Sequence, residues 1–416
     1  MTRTRSLRLV TVVMALTCGF TVANIYYSQP LLGLIAHDFS VSEGTAALVV
    51  TLTQLGYALG MIALVPLGDK VENRGLASWT LLGTAVALGV AAFSPSFGVF
   101  LAMSILIGVT SVVVQVIVPI AANLAPEGQG GRVVGQVMMG LLLGILLART
   151  LASFVAAAWG WSSIYLMSAV VMVVLSFLLR GILPKRRPAT PVSYGALLKS
   201  MVVLVRRHEP LRRRALSQAL IFGAFTAFWT AVAFHLIAQF GFGQTAIGLF
   251  ALVGAAGALA APVAGRLGDR GLGHLSSGAA MLLAVIALLI VAVLPTSIVA
   301  LAVGAILLDF AVQSHQVLGQ HEVYALDPSA RSRINSVYMF TLFVGGAIAS
   351  AITGLLYTAG GWDAVSLFGA ALPFVGLLIW LAHHLRHVRP AAREAARAVA
   401  AASSSGAAAR SPQPTP

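Results

Sequence analysis

Asp309 lies near the centre of a long apolar run, and Gln313, Gln316 and Gln320 follow it at i+4, i+7 and i+11. On a helix of 3.6 residues per turn these four polar side chains share one stripe. A lone carboxylate inside such a run is costly unless it is neutral, paired or open to a wet cavity. The stripe therefore points to a cavity wall and to an acid that can take up and release a proton. The plainer alternative is an acid that hydrogen-bonds a neighbouring helix. Arg149 is the second group of this kind, outward of the middle of another apolar run. A guanidinium stays protonated there and needs an anion, carbonyl oxygens or water. It can bind an anionic group of a substrate, pair with Asp309, or reach the interface by snorkelling.

Other polar positions repeat the spacing. Ser104, Gly108, Ser111 and Gln115 form a stripe like that of Asp309, and so do Thr17, Thr21, Asn24 and Ser28, with Tyr27 beside them. These face a cavity or bond a neighbouring helix. Gln54 and Tyr57 stand one turn apart, Trp229 and His235 line an outer vestibule or anchor at the interface, and His315 falls off the Asp309 stripe. Pro30 removes a backbone donor and can bend its helix as a gate. No H-E-x-x-H, G-x-S-x-G or Walker loop occurs, so nothing points to an enzyme, a metal, a cofactor or ATP-driven pumping. Cys18 is the one cysteine and excludes an intramolecular disulfide.

The elements that must position these residues are membrane helices. Apolar residues make up 59% of the 416, charged ones 9%, and the mean hydropathy is +0.93, whereas a soluble domain is about one quarter charged. Twelve runs, near 8–36, 44–66, 76–94, 97–123, 132–157, 162–183, 215–239, 244–265, 275–294, 297–320, 333–358 and 363–385, are long enough for a core that takes about 20 helical residues to cross. They are continuous rather than alternating, so helices and not a barrel are expected. Apart from Arg149, all 26 Lys and Arg fall in alternate gaps between the runs. Basic loops stay inside, which places both termini in the cytoplasm and the protein in the inner membrane. The net charge of +14 is thereby accounted for without nucleic acid; the expected partners are the lipid bilayer, a small-molecule substrate and protons, and the expected state is a monomer.

Sliding the chain against itself by 200 or 201 residues pairs Gly68-Asp69-Lys70 with Gly268-Asp269-Arg270, Gln115 with Gln316, Gly144 with Gly345, and Gly160-Trp161 with Gly361-Trp362. The expectation is an all-α membrane protein of twelve transmembrane helices in two pseudo-symmetric six-helix bundles, 1–183 and 215–385. Between them lies a basic cytoplasmic linker, 184–214, and after them a disordered tail, 386–416. Within the linker, Tyr194 to Val205 has the apolar spacing of a helix lying on the membrane surface; a flexible connector is the alternative.

Pro66-Leu67-Gly68-Asp69-Lys70 through Arg74, and Gly265-Arg266-Leu267-Gly268-Asp269-Arg270, resemble the paired loop motif of the major facilitator superfamily. The stretch from Asn24 to Leu32 is similar to a bacterial branch of its drug-efflux-type proton antiporters. The resemblance implies a secondary active transporter working by alternating access, proton-coupled, exporting a small amphipathic or drug-like molecule. Uptake of a small organic acid through Arg149 is the alternative, and a non-transporting membrane sensor a remote one. It also implies an inner gate of Gly68, Asp69, Lys70, Arg74 and Arg132 in one half and Gly265, Asp269, Arg270 and Arg333 in the other. In that gate Asp69 pairs with Arg132 or with a helix amino end, and Asp269 with Arg333. Two family features are missing: Ser104 stands where the fourth-helix arginine would be, and the fifth-helix antiporter motif lacks its proline and last glycines, having Ala148 and Arg149.

Overall fold

Backbone amides inside a bilayer have no water to bond, so a chain this apolar satisfies them within helices. The computed structural model describes residues 2–126, 129–185, 193–327 and 330–388, and they are helical almost throughout, with no strand among them. Nine helices of the described residues are long and apolar enough to cross a membrane. One of these, Arg331–Arg386, is two passages joined at Gly361. The first and eighth passages are broken into shorter pieces, which brings the count to the expected twelve.

We number the passages α1 (Thr2–Ala23), α2 (Glu43–Gly68), α3 (Asn73–Ala92), α4 (Phe97–Leu124), α5 (Gly130–Trp159) and α6 (Ser162–Ile182). The second half has α7 (Glu209–Phe240), α8 (Gln244–Ala251, a 3-10 stretch Leu252–Leu259 and Ala260–Asp269), α9 (Gly273–Val293), α10 (Ile298–Tyr324), α11 (331–360) and α12 (362–383). Beyond Ala23 the chain of the first passage turns, then passes through the 3-10 turn Gln29–Leu31, where Pro30 needs no donor, into the short helix Leu32–Asp38.

The internal repeat is visible in the backbone. Gly160 and Gly361, one repeat apart, both have positive φ, +85° and +61°, and so do Ser40 (+53°) and Gly241 (+63°). Each of the four lies where the chain reverses between successive passages of its own half. Gly361 combines φ 61° with ψ −149°, a conformation closed to side chains with a Cβ. Gly361→Ala is expected to cost about 1–3 kcal/mol, read as a lower melting temperature in detergent; an unchanged melting temperature would show that the turn relaxes freely.

The linker is shorter than the sequence suggests. Residues 209–214 already belong to α7, because Arg214 is buried and held: its Nε donates to Glu322 Oε2 at 2.7 Å on α10 and its Nη1 to Ser277 Oγ on α9. The stretch from 194 is a helix, Tyr194–Arg207, and it does not simply lie on lipid. Leu197, Met201 and Leu204 are buried, the last two in a cluster with Leu211, Ile334 and Tyr338, and Tyr194 OH reaches Ala63 O of the first half at 2.8 Å. Of the expected tail, 389–416 lies outside the described residues.

Candidate substrate cavity

Away from the basic loops the halves are closed against each other. Gln244 Nε2 donates to Pro30 O at 2.8 Å, Thr150 Oγ1 to Gly248 O at 3.1 Å and Ser350 Oγ to Ala47 O at 3.3 Å. Deeper in, Gln54 Nε2 donates to Thr226 Oγ1 at 3.4 Å. On the other side of this seal a cavity of about 640 Å³ runs between the halves to exposed Arg331 and Ser332 at the basic face. Tyr26, Tyr57, Gln115 and Arg149 line it from the first half, and Phe225, Asp309, Gln313, Gln316 and Gln320 from the second.

Its closed end is built around Trp229. The indole Nε1 donates to Asp309 Oδ1 at 2.9 Å, and the Arg149 guanidinium carbon sits 4.4 Å from the centre of the same ring. Tyr26 and Phe225 add further faces at 4.9 and 5.2 Å, and Arg149 Nε donates to Gln29 Oε1 at 2.6 Å. Stacking on aromatic faces suits a weakly hydrated, planar cation that has lost its water. Arg149 is 4% exposed and Asp309 6%, so both ionisable groups sit in protein, yet no ion pair within 4.0 Å joins them. Arg149 Nη2 has no hydrogen-bond partner. A buried donor without an acceptor is expensive, and this one belongs to a residue that lines the cavity.

The acid is boxed in by backbone. A Cβ on Gly254 would stand 2.6 Å from Asp309 Oδ2, and one on Gly257 2.5 Å from Asp309 Cβ. These two glycines of the 3-10 stretch in α8 let the chain pass directly over the carboxyl group. Their spacing of one turn, opposite a buried acid, is the signal that sequence reading passed over. It also passed over Tyr26, Gln29 and Phe225, and it read Trp229 as a vestibule residue or an interfacial anchor rather than the link between the two charges.

Of the predicted cavity residues, the structure brings together Asp309, Arg149, Tyr57, Gln115, Gln313 and Gln316. It places four elsewhere. Asn24 accepts from Ser168 Oγ at 2.6 Å and donates to Met172 Sδ at 3.8 Å, so the α1 stripe faces α6; Val22 and Tyr26 take its place in the cavity. Tyr27 and Ser28 are buried outside the central cavity, Tyr27 at the edge of a groove between α1 and α5. Gln54 belongs to the seal described above. Of the α4 stripe only Gln115 reaches the cavity, since Gly108 packs on the α2 backbone and Ser104 bonds Phe100 O. As the stripe phase requires, His315 faces α7, its Nδ1 2.6 Å from Gln218 Oε1.

The expected pair of Asp269 with Arg333 does not form. Asp269 is exposed and 3.9 Å from His321 Nε2, while Arg333 Nη1 donates to Ser200 Oγ of the linker helix at 2.9 Å. The side chain of Asp69 lies outside the described set. Its expected partner Arg132 is exposed in the α1–α5 groove, and Arg74 bonds Arg180 O at 3.1 Å and lies 3.5 Å from Glu72. Gly68 packs near Val116, a Cβ on Gly265 would meet nothing within 4 Å, and Lys70 and Arg270 are exposed. On this side Asn335 Nδ2 donates across the halves to Gln115 Oε1 at 3.0 Å, and within the second half Tyr324 OH donates to Asn335 Oδ1 at 2.7 Å.

The chain resembles known proteins in sequence and in fold. A sequence model of the Major Facilitator Superfamily matches residues 13–323 and 214–413. The chain is 41% identical over 371 residues, 89% of its length and 94% of the relative's, to the "Uncharacterized transporter YgaY" of Escherichia coli O157:H7. It is 34% identical over 384 residues, 92% and 88% of the two lengths, to the "Probable transporter SCO4007" of Streptomyces coelicolor. Its fold is similar to that of a bacterial homologue of the human lysosomal transporter Spinster, inward-facing and occupied, with a TM-score of 0.72 at 13% identity over 91% of this chain and 97% of that one.

Proposed function

The chain belongs to the Major Facilitator Superfamily, and from that premise we propose that it is a proton-coupled antiporter of the inner membrane. It exports a small amphipathic molecule by alternating access, acts as a monomer, and keeps both termini in the cytoplasm. The observation that carries the reading is the closed end of the cavity, where Asp309 and Arg149 are held by the same indole and neither is neutralised by the other. A cavity open at the basic face is the loading state for a molecule arriving from the cytoplasmic side. Its Gln, Tyr and Phe walls suit an apolar body with a few hydrogen-bonding groups.

Charge at Asp309 is the switch in this scheme. With the carboxylate ionised, Trp229 and Arg149 are drawn toward it and an acceptor on the substrate takes the free Arg149 Nη2. Protonation on the far side weakens that hold, and substrate leaves. Proton and substrate thus alternate rather than travel together.

A second reading, uptake of a small organic acid, draws on the unpartnered Arg149 Nη2. It also draws on a 29% identical relative named "Probable nitrate/nitrite transporter NarK2" from Mycobacterium tuberculosis, matched over 58% of this chain and 61% of that one. Purified protein in vesicles with an imposed pH gradient separates the two. Antiport predicts that cationic or neutral dyes accumulate on the acidic side, whereas proton-coupled uptake predicts that a monocarboxylate moves with the proton. A chain that moves neither class in response to the gradient would refute both.

A further inference from the structure

A second concavity, of about 710 Å³, lies between α1 and α5 on the outside of the bundle. Its floor is the place where the two helices touch backbone to backbone; a Cβ on Gly19 would stand 2.6 Å from the carbonyl oxygen of Gly140. Its rims include Val12, Leu16, Met139 and Leu143, each about half exposed, so hydrocarbon rather than water is the natural filling. Arg8 and Arg132 line the end at the basic face. Both are exposed, and neither has a hydrogen bond or ion pair with any described residue. Gln136, one turn deeper than Arg132 on the same helix face, is likewise exposed without a protein partner.

An apolar channel explains none of these three polar groups. Two guanidinium groups in one groove repel each other unless an anion stands between them. An amide turned toward lipid needs an acceptor or donor at the level of the ester linkages. The groove starts at the basic face and passes along two membrane helices, so the ligand that meets all these demands has an anionic head and an alkyl tail.

We propose that the α1–α5 groove is a binding site for one anionic phospholipid. Its phosphate lies between Arg8 and Arg132, its ester oxygens meet the Gln136 amide, and one acyl chain lies along the Gly19–Gly140 seam. A zwitterionic choline lipid carries its own cation to the arginines and fits less well. A second copy of the chain related by a two-fold axis would bring further arginines to the same end rather than neutralise them.

The test uses the full chain in phosphatidylcholine vesicles doped with a phosphatidylglycerol probe that has a diazirine in its acyl chain. After photolysis, adducts are mapped to peptides by mass spectrometry. Adducts are expected on residues 9–27 and 133–151, displaced by excess phosphatidylglycerol and not by added phosphatidylcholine. The double variant R8Q/R132Q should weaken labelling of these two segments by about thirtyfold, the combined effect of two arginines at an anionic headgroup. Labelling of other segments serves as the internal control for folding. Leu143→Trp, which narrows the groove and keeps both arginines, should lower the same adducts. Equal competition by phosphatidylcholine, or labelling of α1 and α5 that survives R8Q/R132Q, would overturn the proposal, as would a cross-linked dimer through these helices in place of the lipid adduct.

Discussion

Asp309→Asn is expected to reduce pH-gradient-driven accumulation of substrate to the level of empty vesicles while substrate binding and exchange across the membrane persist. The substitution is nearly isosteric, and the asparagine Oδ1 can still accept from Trp229 Nε1, a bond of 2.9 Å in the native protein. The indole therefore keeps its place beneath Arg149. The single property removed is the ability to change charge, and an uncharged amide imitates the protonated acid throughout the cycle. Exchange needs only the reorientation of loaded protein, so it survives; uphill movement needs the proton to be taken from one side and released on the other, so it does not. If Asp309 were only a structural acceptor for Trp229, transport would fall in proportion to the amount of folded protein and keep its pH dependence. Measuring accumulation, exchange and protein content on the same vesicles distinguishes these results, and a mutant that still concentrates substrate with the native pH profile would remove Asp309 from the coupling scheme.

The fold could be read far into its details because its determinants are local. A run of apolar residues specifies a membrane helix by length alone, and the offset of 200 to 201 residues pairs the two Gly-Trp turns at 160–161 and 361–362, where both glycines have positive φ. The stripe from Asp309 to Gln320 was legible for the same reason, since 3.6-residue periodicity fixes which side chains share a face. Periodicity does not say what the face meets. Asn24 shows the limit: its stripe has the same spacing as that of Asp309, yet it is taken up by Ser168 and Met172 of α6. A polar seam between helices and a polar wall of a cavity are written identically in one dimension. The link through Trp229 was beyond reach for a related reason. It depends on α5, α7 and α10 converging at one point, which no spacing within any one of them encodes.

Arg149→Lys keeps the charge and is expected to weaken substrate binding by roughly ten- to a hundredfold, the worth of one charge-assisted hydrogen bond of about 1.5–3 kcal/mol. Three rings surround the native guanidinium, with their centres 4.4 to 5.2 Å from its central carbon, and Gln29 Oε1 takes its Nε. A lysine ammonium is a compact, strongly hydrated charge that cannot lie flat among those faces and reach Gln29 while keeping a second donor fixed beside the cavity. The donor given up is Nη2, which has no partner in the protein and which the proposed scheme assigns to a substrate oxygen. Because the site stays positively charged, Asp309 keeps its electrostatic neighbour, and gradient coupling should persist at saturating substrate. The expected signature is therefore a raised half-saturation concentration with a nearly native maximal rate, together with a melting temperature close to that of the native protein. A purely structural Arg149 gives the opposite pattern, in which the melting temperature falls and the apparent affinity of the remaining folded protein is unchanged.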